Sequence, residues 1–434
     1  MARFTREDLE QRREDGRALP FDVIIRCSRQ PADWPLRRPR FVFDLKELSG
    51  ALGDLGTFLP HVLGAITVAG LSPAGVFVSF GLFYLGSGIR YGIPIAVQPM
   101  KAASAAVLIQ GMTPAEVAAG GLIIGLFFLI AGATGLIAFL ARITPPWITA
   151  GIQLGLGLAL AWLGLGMAWS QPVLGVAVAA IMALLLLKGR IPAALVGLAV
   201  GVGLTFVLGI NREIPSVDLG LYLPHGVMPG PQDFLRASYL AVLPQIPLTL
   251  TNALIVTAAL ARQWFPKEEH HVTVRNLSLS TGVANILAAP LGGYMMCHGA
   301  GGLAGHYRFG ARTGGAGVII GVIFLSLGLF LGSGGVALLS LIPTAVVGSL
   351  LLFSGLELAA SARVWSFPRW TGGLALGVAA LAFGLNPAVA FGAGLVVAWL
   401  LRLWRPDLLA HQREIEEEAA YLCSRDGGPH YQAS

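Results

Sequence analysis

From Phe41 to Trp404 the chain is one apolar stretch after another, broken only by glycines, prolines and scattered charges. A bilayer offers no partner for bare backbone groups, so stretches of this kind must satisfy their own amides as helices. Charged residues make up 12% of the chain, about half the share of a soluble domain. That excludes a soluble enzyme or a nucleic-acid binder, despite the formal charge of +6. In a polar chain, 57 glycines and 26 prolines would suggest disorder. Here they suggest closely packed and interrupted membrane helices. Cys27, Cys297 and Cys423 are too few and too scattered for a disulfide framework or a metal finger. The fold class is an all-α polytopic membrane protein.

The punctuation divides the run into spans near 45–70, 73–89, 98–110, 115–140, 146–166, 172–187 and 192–210. After a polar connection at 211–234 come spans near 236–261, 273–290, 299–310, 314–332, 335–357, 371–385 and 388–404. This gives 14 transmembrane segments as seven plus seven. The third and the tenth are too short to cross a core about 30 Å thick. Short, Gly/Pro-interrupted segments at the same place in two halves point to a transporter built from inverted repeats. Alternating the connections puts nearly all the arginines and lysines on one side, with Arg212 and Arg236 alone on the other. The positive-inside bias then makes both termini cytoplasmic. Residues 1–43 form an arginine-rich arm with no apolar run of signal-peptide length. Residues 405–434 form a short tail.

The third span reads PIAVQPMKAASAAVLIQG from Pro94. Proline suits the first turn of a helix, so the spacing predicts a helix starting at Pro99, inside the membrane, with Gln98 capping. Its free N–H groups and positive dipole end form an anion site, and Lys101 adds a full charge. Lys101 either pairs with Asp54 or meets an anionic substrate, directly or through water; the two are compatible. In the tenth span, CHGAGGLAGHYRFGAR, Gly299, Gly301 and Gly302 let backbone amides approach a ligand. His298 is read as a capping or substrate-facing donor or as a structural polar contact, and Cys297 with His298 is too sparse for a metal site. Asp54, Thr57 and His61 form one polar stripe on the first span, and Gln245, Thr249 and Asn252 one on the eighth. Facing two helix N-termini, the stripes make a central polar pocket; the alternative is that they bond neighbouring helices. Asp54 and His61 are the titratable candidates for proton coupling. Thr113 and Glu116 form a capping box, and Gly151, Gly155, Gly164 and Gly348 read as helix-packing positions.

With GDLGTFLP (53–60), PIAVQPMKA (94–102), PQIPLTLTN (244–252) and CHGAGGLAGHYRFGAR (297–312), the chain resembles the molybdate transporter family related to the sulfate permeases. The resemblance implies two inverted seven-helix repeats with two half-helices, spans 3 and 10. It implies a core (transport) domain at 44–142 and 235–333 and a gate (scaffold) domain at 143–210 and 334–404; the charge alternation makes the connection at 211–234 extracytoplasmic. It also implies molybdate bound between the third and tenth helices, with Gln98 and Lys101 in one signature and His298, Gly299, Ala300 and Gly301 in the other. Unlike proton-coupled sulfate relatives, the eighth span carries no carboxylate.

The expected function is molybdate import across the cell membrane by alternating access, the core moving against the gate. Sulfate, tungstate or another tetrahedral oxyanion is the alternative substrate, and a channel or sensor of the same fold a further reading. No catalytic motif argues for an enzyme, and neither cofactor nor metal is expected. The expected partners are the oxyanion, the bilayer and, left open, a second copy of the chain.

Overall fold

The computed structural model describes residues 41–188, 193–210, 220–265, 271–330 and 341–404. The arm to residue 40, residues 211–219 of the central connection and the tail from 405 lie outside the described residues.

Every apolar stretch read from the sequence holds a helix. The first half comprises α1 (Leu45–Leu52), α2 (Leu55–Thr67), α3 (Pro73–Tyr91), the strand β1 (Val97–Pro99), α4 (Lys101–Gln110), α5 (Pro114–Thr134), α6 (Leu136–Ile143), α7 (Pro146–Ala168), α8 (Pro172–Lys188) and α9 (Ala193–Val207). The second half opens with α10, a single 32-residue helix over Pro231–Arg262. There follow α11 (Val274–Ala288), β2 (Met296–His298), α12 (Ala300–Arg308), α13 (Gly315–Phe330), α14 (Thr344–Ser361), α15 (Arg369–Gly384) and α16 (Pro387–Trp404). By length and composition α5, α7, α10 and α14 can each cross a bilayer. This is a mostly helical, multi-pass membrane fold. Local signals set the helix ends: the Thr113–Glu116 capping box opens α5, and α3, α4 and α5 stop at glycines in the left-handed region.

Three expectations need correction. The fold is not purely helical, because β1 and β2 pair as a two-stranded antiparallel sheet. The third stretch does not start its helix at Pro99 with Gln98 as cap; Pro99 ends β1 and Met100 is the N-cap of α4. Proline holds its predecessor Gln98 in the extended region, and the Met100 amide, donating to Met295 O at 3.0 Å, prolongs the ladder. The first stretch is also broken at Gly53–Asp54, which puts Asp54 at the N-cap of α2 rather than within a helix.

Buried apolar side chains fall into two clusters. One draws on α1–α5 and α10–α13, with Phe58, Phe80, Phe128 and Phe324 at its centre. The other draws on α7–α9 and α14–α16, with Trp147, Leu160, Val346 and Leu350, and takes Ala102, Ala105 and Leu108 from α4. Within the second, the glycines read as packing positions bring α7 against its neighbours. A Cβ on Gly164 would stand 2.7 Å from Gly348 O, and one on Gly151 would stand 2.7 Å from Val378 Cβ of α15. Gly164→Val is therefore expected to lower Tm in detergent, because overpacking against backbone costs about 1–3 kcal/mol or more.

Candidate functional site

The site is built on the two strands. Val97 pairs with His298, Gln98 with Cys297 and Pro99 with Met296. Asn285 of α11 pins β2, accepting from Met296 N at 3.0 Å and donating to Met296 O at 2.6 Å. The N-caps Met100 and Gly299 are both extended, so the chain runs straight from each strand into its helix. Because the strands are antiparallel, α4 and α12 leave the ladder in opposite directions. Both point free N–H groups and the positive end of a dipole back toward it.

The two ends are furnished differently. At α4, Gln245 Oε1 accepts from Ala102 N at 2.8 Å and Ala103 N at 3.3 Å, while its Nε2 donates to Thr249 Oγ1 at 2.9 Å. The carboxamide of α10 thus supplies the cap that Met100 cannot. At α12, the Ala300, Gly301 and Gly302 amides have no acceptor among the described residues. Gly301 is exposed, and a Cβ there would meet nothing within 4 Å. Lys101, half-buried at the first position of α4, has no carboxylate in ion-pair range among the described residues.

Behind these ends lies a buried polar knot. Asp54, 2% exposed, accepts from Tyr84 Oη at 2.9 Å, Thr57 Oγ1 at 2.6 Å and Gln98 Nε2 at 2.5 Å. Gln98 Nε2 also donates to Thr57 Oγ1 at 2.5 Å. With its amide nitrogen committed, Gln98 turns Oε1 onto Gly299, where any β-carbon would overlap it. A Cβ on Gly302 would stand 2.6 Å from Asp54 Oδ2. The carboxylate is thus satisfied by neutral donors, and no Asp54–Lys101 ion pair forms among the described residues. Tyr84→Phe removes one donor from this charged acceptor. It is expected to cost about 1.5–3 kcal/mol, read as a lower Tm.

Asp54, Thr57 and Gln98 are therefore brought together, as are Gln245, Thr249 and the start of α4. Three other singled-out residues turn elsewhere. His61 is bonded through Nδ1 to Ser104 Oγ at 2.7 Å and through Nε2 to Ser354 Oγ at 3.0 Å. Asn252 Nδ2 donates to Gln153 Oε1 at 3.0 Å. It lies in a π-helical stretch of α10, Thr249–Val256, whose wider turns rotate it off the line through Gln245 and Thr249. His298 is fully buried, with Nε2 at 2.7 Å from Ser280 Oγ and Nδ1 at 3.3 Å from Ala96 O. Glu116 closes its capping box and also pairs with Arg236 at 2.7 Å. Among the described residues no three metal-ligating side chains converge.

Sequence reasoning missed Tyr84, Ser104, Gln153 and Ser354. Gln153 left a signal, a lone carboxamide in the apolar run TAGIQLGLG, since such a group must find a partner in the membrane. Tyr84, in GLFYLG, left none.

The family model described as "Molybdate transporter of MFS superfamily" matches residues 46–160 and 237–358, which contain both strands and both helix starts. The chain belongs to the molybdate transporter family. Molybdate transporter 2 of Arabidopsis thaliana is 32% identical, over 88% of this chain and 92% of that protein. Molybdate transporter 1 of Chlamydomonas reinhardtii is 30% identical, over 81% and 90%. Among solved structures, the transmembrane domain of the cyanobacterial bicarbonate transporter BicA aligns with a TM-score of 0.60 at 17% identity, covering 82% of this chain and all of that one. The murine anion transporter Slc26a9 in its inward-facing state aligns with a TM-score of 0.62 at 13% identity, covering 85% and 70%. At those identities the likeness is one of fold. This member of the molybdate transporter family thus has the helical membrane fold of BicA and Slc26a9.

Proposed function

We propose that the protein is a secondary active transporter that imports molybdate across the cell membrane. The carrying observation is the pair of helices that start from one strand ladder, with the α12 amides unpartnered among the described residues and Lys101 at the first position of α4. A helix N-terminus contributes about half a positive charge and Lys101 one more. The chemistry suits a tetrahedral dianion held by the amides of Gly299, Ala300 and Gly301, by Lys101 and by the polar side chains of Gln98 and Thr249.

In this reading the chain has fourteen spans in two inverted halves, α4 and α12 being the half-helices of spans 3 and 10. A core at 44–142 and 235–333 and a gate at 143–210 and 334–404 are supported by the two apolar clusters, although Leu63, Ala102, Ala105, Leu108 and Leu248 of the core pack into the second. The core carries the site past the gate in an elevator-type cycle. Both termini are cytoplasmic, and Asp54 is a titratable candidate for proton coupling.

Competition between molybdate, tungstate and sulfate for the purified protein tests the substrate, and preference for sulfate would replace molybdate in this proposal. Saturable uptake against a gradient in proteoliposomes tests the carrier; unsaturable flux down the gradient alone would indicate a channel.

A further inference from the structure

The two polar stripes end alike. His61 closes the stripe on α2 and Asn252 the stripe on α10, the first stretches of the two halves. His61 bonds Ser354 of α14, and Asn252 bonds Gln153 of α7, each at 3.0 Å. α7 and α14 are the fifth and twelfth stretches, again at one place in each half. α2 and α10 pack mainly into the first apolar cluster, α7 and α14 into the second. Each bond therefore crosses from one cluster to the other.

Both latching partners are themselves braced. Gln153 Nε2 donates to Ser361 Oγ and, at 3.4 Å, to Leu358 O. His61 is tied by its other nitrogen to Ser104, in the first turn of the helix that carries Lys101. His61, Ser354 and Gln153 are buried and Asn252 half-buried. Around these bonds the clusters meet through apolar side chains such as Leu63, Leu248 and Ala194. Apolar contact is non-directional and tolerates sliding, whereas a hydrogen bond weakens steeply with distance and angle.

We infer that Ser354 and Gln153 are positioning residues for transport: with His61 and Asn252 they form two matched latches that fix the site-bearing cluster in this register. Both latches open whenever the site is carried to the other face of the membrane. The inference rests on the carrier reading above, and its test can be separated from that reading.

Spin labels at Trp162→Cys on α7 and Val322→Cys on α13, both exposed positions, report the separation of the clusters in the full chain once Cys27 and Cys423 are replaced by serine. Ser354→Ala and Gln153→Leu are each expected to shift the ratio of label-distance populations about five-fold, the worth of one net hydrogen bond. The double variant is expected to show roughly the product of the two shifts, as for independent sites. The rate of radiolabelled molybdate uptake should change in step. Ser354→Thr, which keeps the hydroxyl, should restore wild-type populations. Unchanged distance populations in both folded single variants would overturn the latches. Absence of molybdate uptake by the wild type would sink the carrier reading alone, and the label distances would decide the latches either way.

Discussion

Lys101→Ala is expected to abolish or strongly weaken radiolabelled molybdate uptake at substrate concentrations near the wild-type Kd, with binding to the purified protein weakened about ten- to a hundredfold. A hydrogen bond to a charged group contributes about 1.5–3 kcal/mol, which sets that range. So large an effect follows from the charges around the site. A dianion brings two negative charges, and Asp54 places a buried carboxylate behind the same helix ends. The α4 terminus is partly spent, because Gln245 already occupies the Ala102 and Ala103 amides. That leaves the α12 terminus, worth about half a charge, and Lys101. The fold should respond in the opposite sense. A lysine at membrane depth costs roughly 2.5–3.5 kcal/mol, and this one has no carboxylate partner among the described residues. The alanine variant should therefore unfold at the same temperature or higher while transport is lost. Near-normal uptake at equal expression would remove Lys101 from the site. Lys101→Arg should recover part of the binding, since the charge returns on a bulkier, planar group.

Helices were legible in the sequence because their boundaries are written locally. The stretch read at 146–166 is Pro146–Ala168, and that at 273–290 is Val274–Ala288; Pro146 and the Thr273 cap mark the starts. The strands were not legible. Three residues carry no period, and β1 finds its partner about two hundred residues away, where no local pattern records it. The site was legible as a set of residue types and only partly as an arrangement. Asp54 and Thr57 do meet Gln98, yet His61, on the same stripe, faces the other cluster. A stripe fixes which residues share a helix face, and the packing of that helix decides what each one meets. Asn252 fell outside even that rule, because the π-helical stretch changes the rotation per residue. Gln245 was read as one of a stripe lining the central polar pocket; its carboxamide caps α4. From sequence alone, a helix end inside a membrane calls for a cap but does not say which distant side chain supplies it.

The glycines at the start of α12 allow folding and binding to be separated within four residues. Gly299 has φ −128, which any residue can adopt, so the case for glycine there is wholly steric. Its added methyl would overlap Gln98 Oε1, and Gln98 cannot simply swing aside, because Asp54 and Thr57 hold its nitrogen at 2.5 Å each. Gly299→Ala must either break that knot or shift the start of α12. Overpacking of this kind costs about 1–3 kcal/mol, so Tm should fall and uptake should drop tenfold or more. Gly302→Ala drives its methyl toward Asp54 Oδ2, 2.6 Å away, and should behave the same way. Gly301→Ala meets open space, so Tm should hold, while binding weakens because the methyl stands where the oxyanion would sit. The sharpest check is the pair Gly299→Ala with Gln98→Ala. Truncating Gln98 clears the overlap, so the double variant should be more stable than the sum of the two single losses predicts, the signature of residues in direct contact. Strict additivity of Tm losses in that pair would mean that Gln98 and Gly299 do not meet, and the knot behind the two helix ends would have to be redrawn.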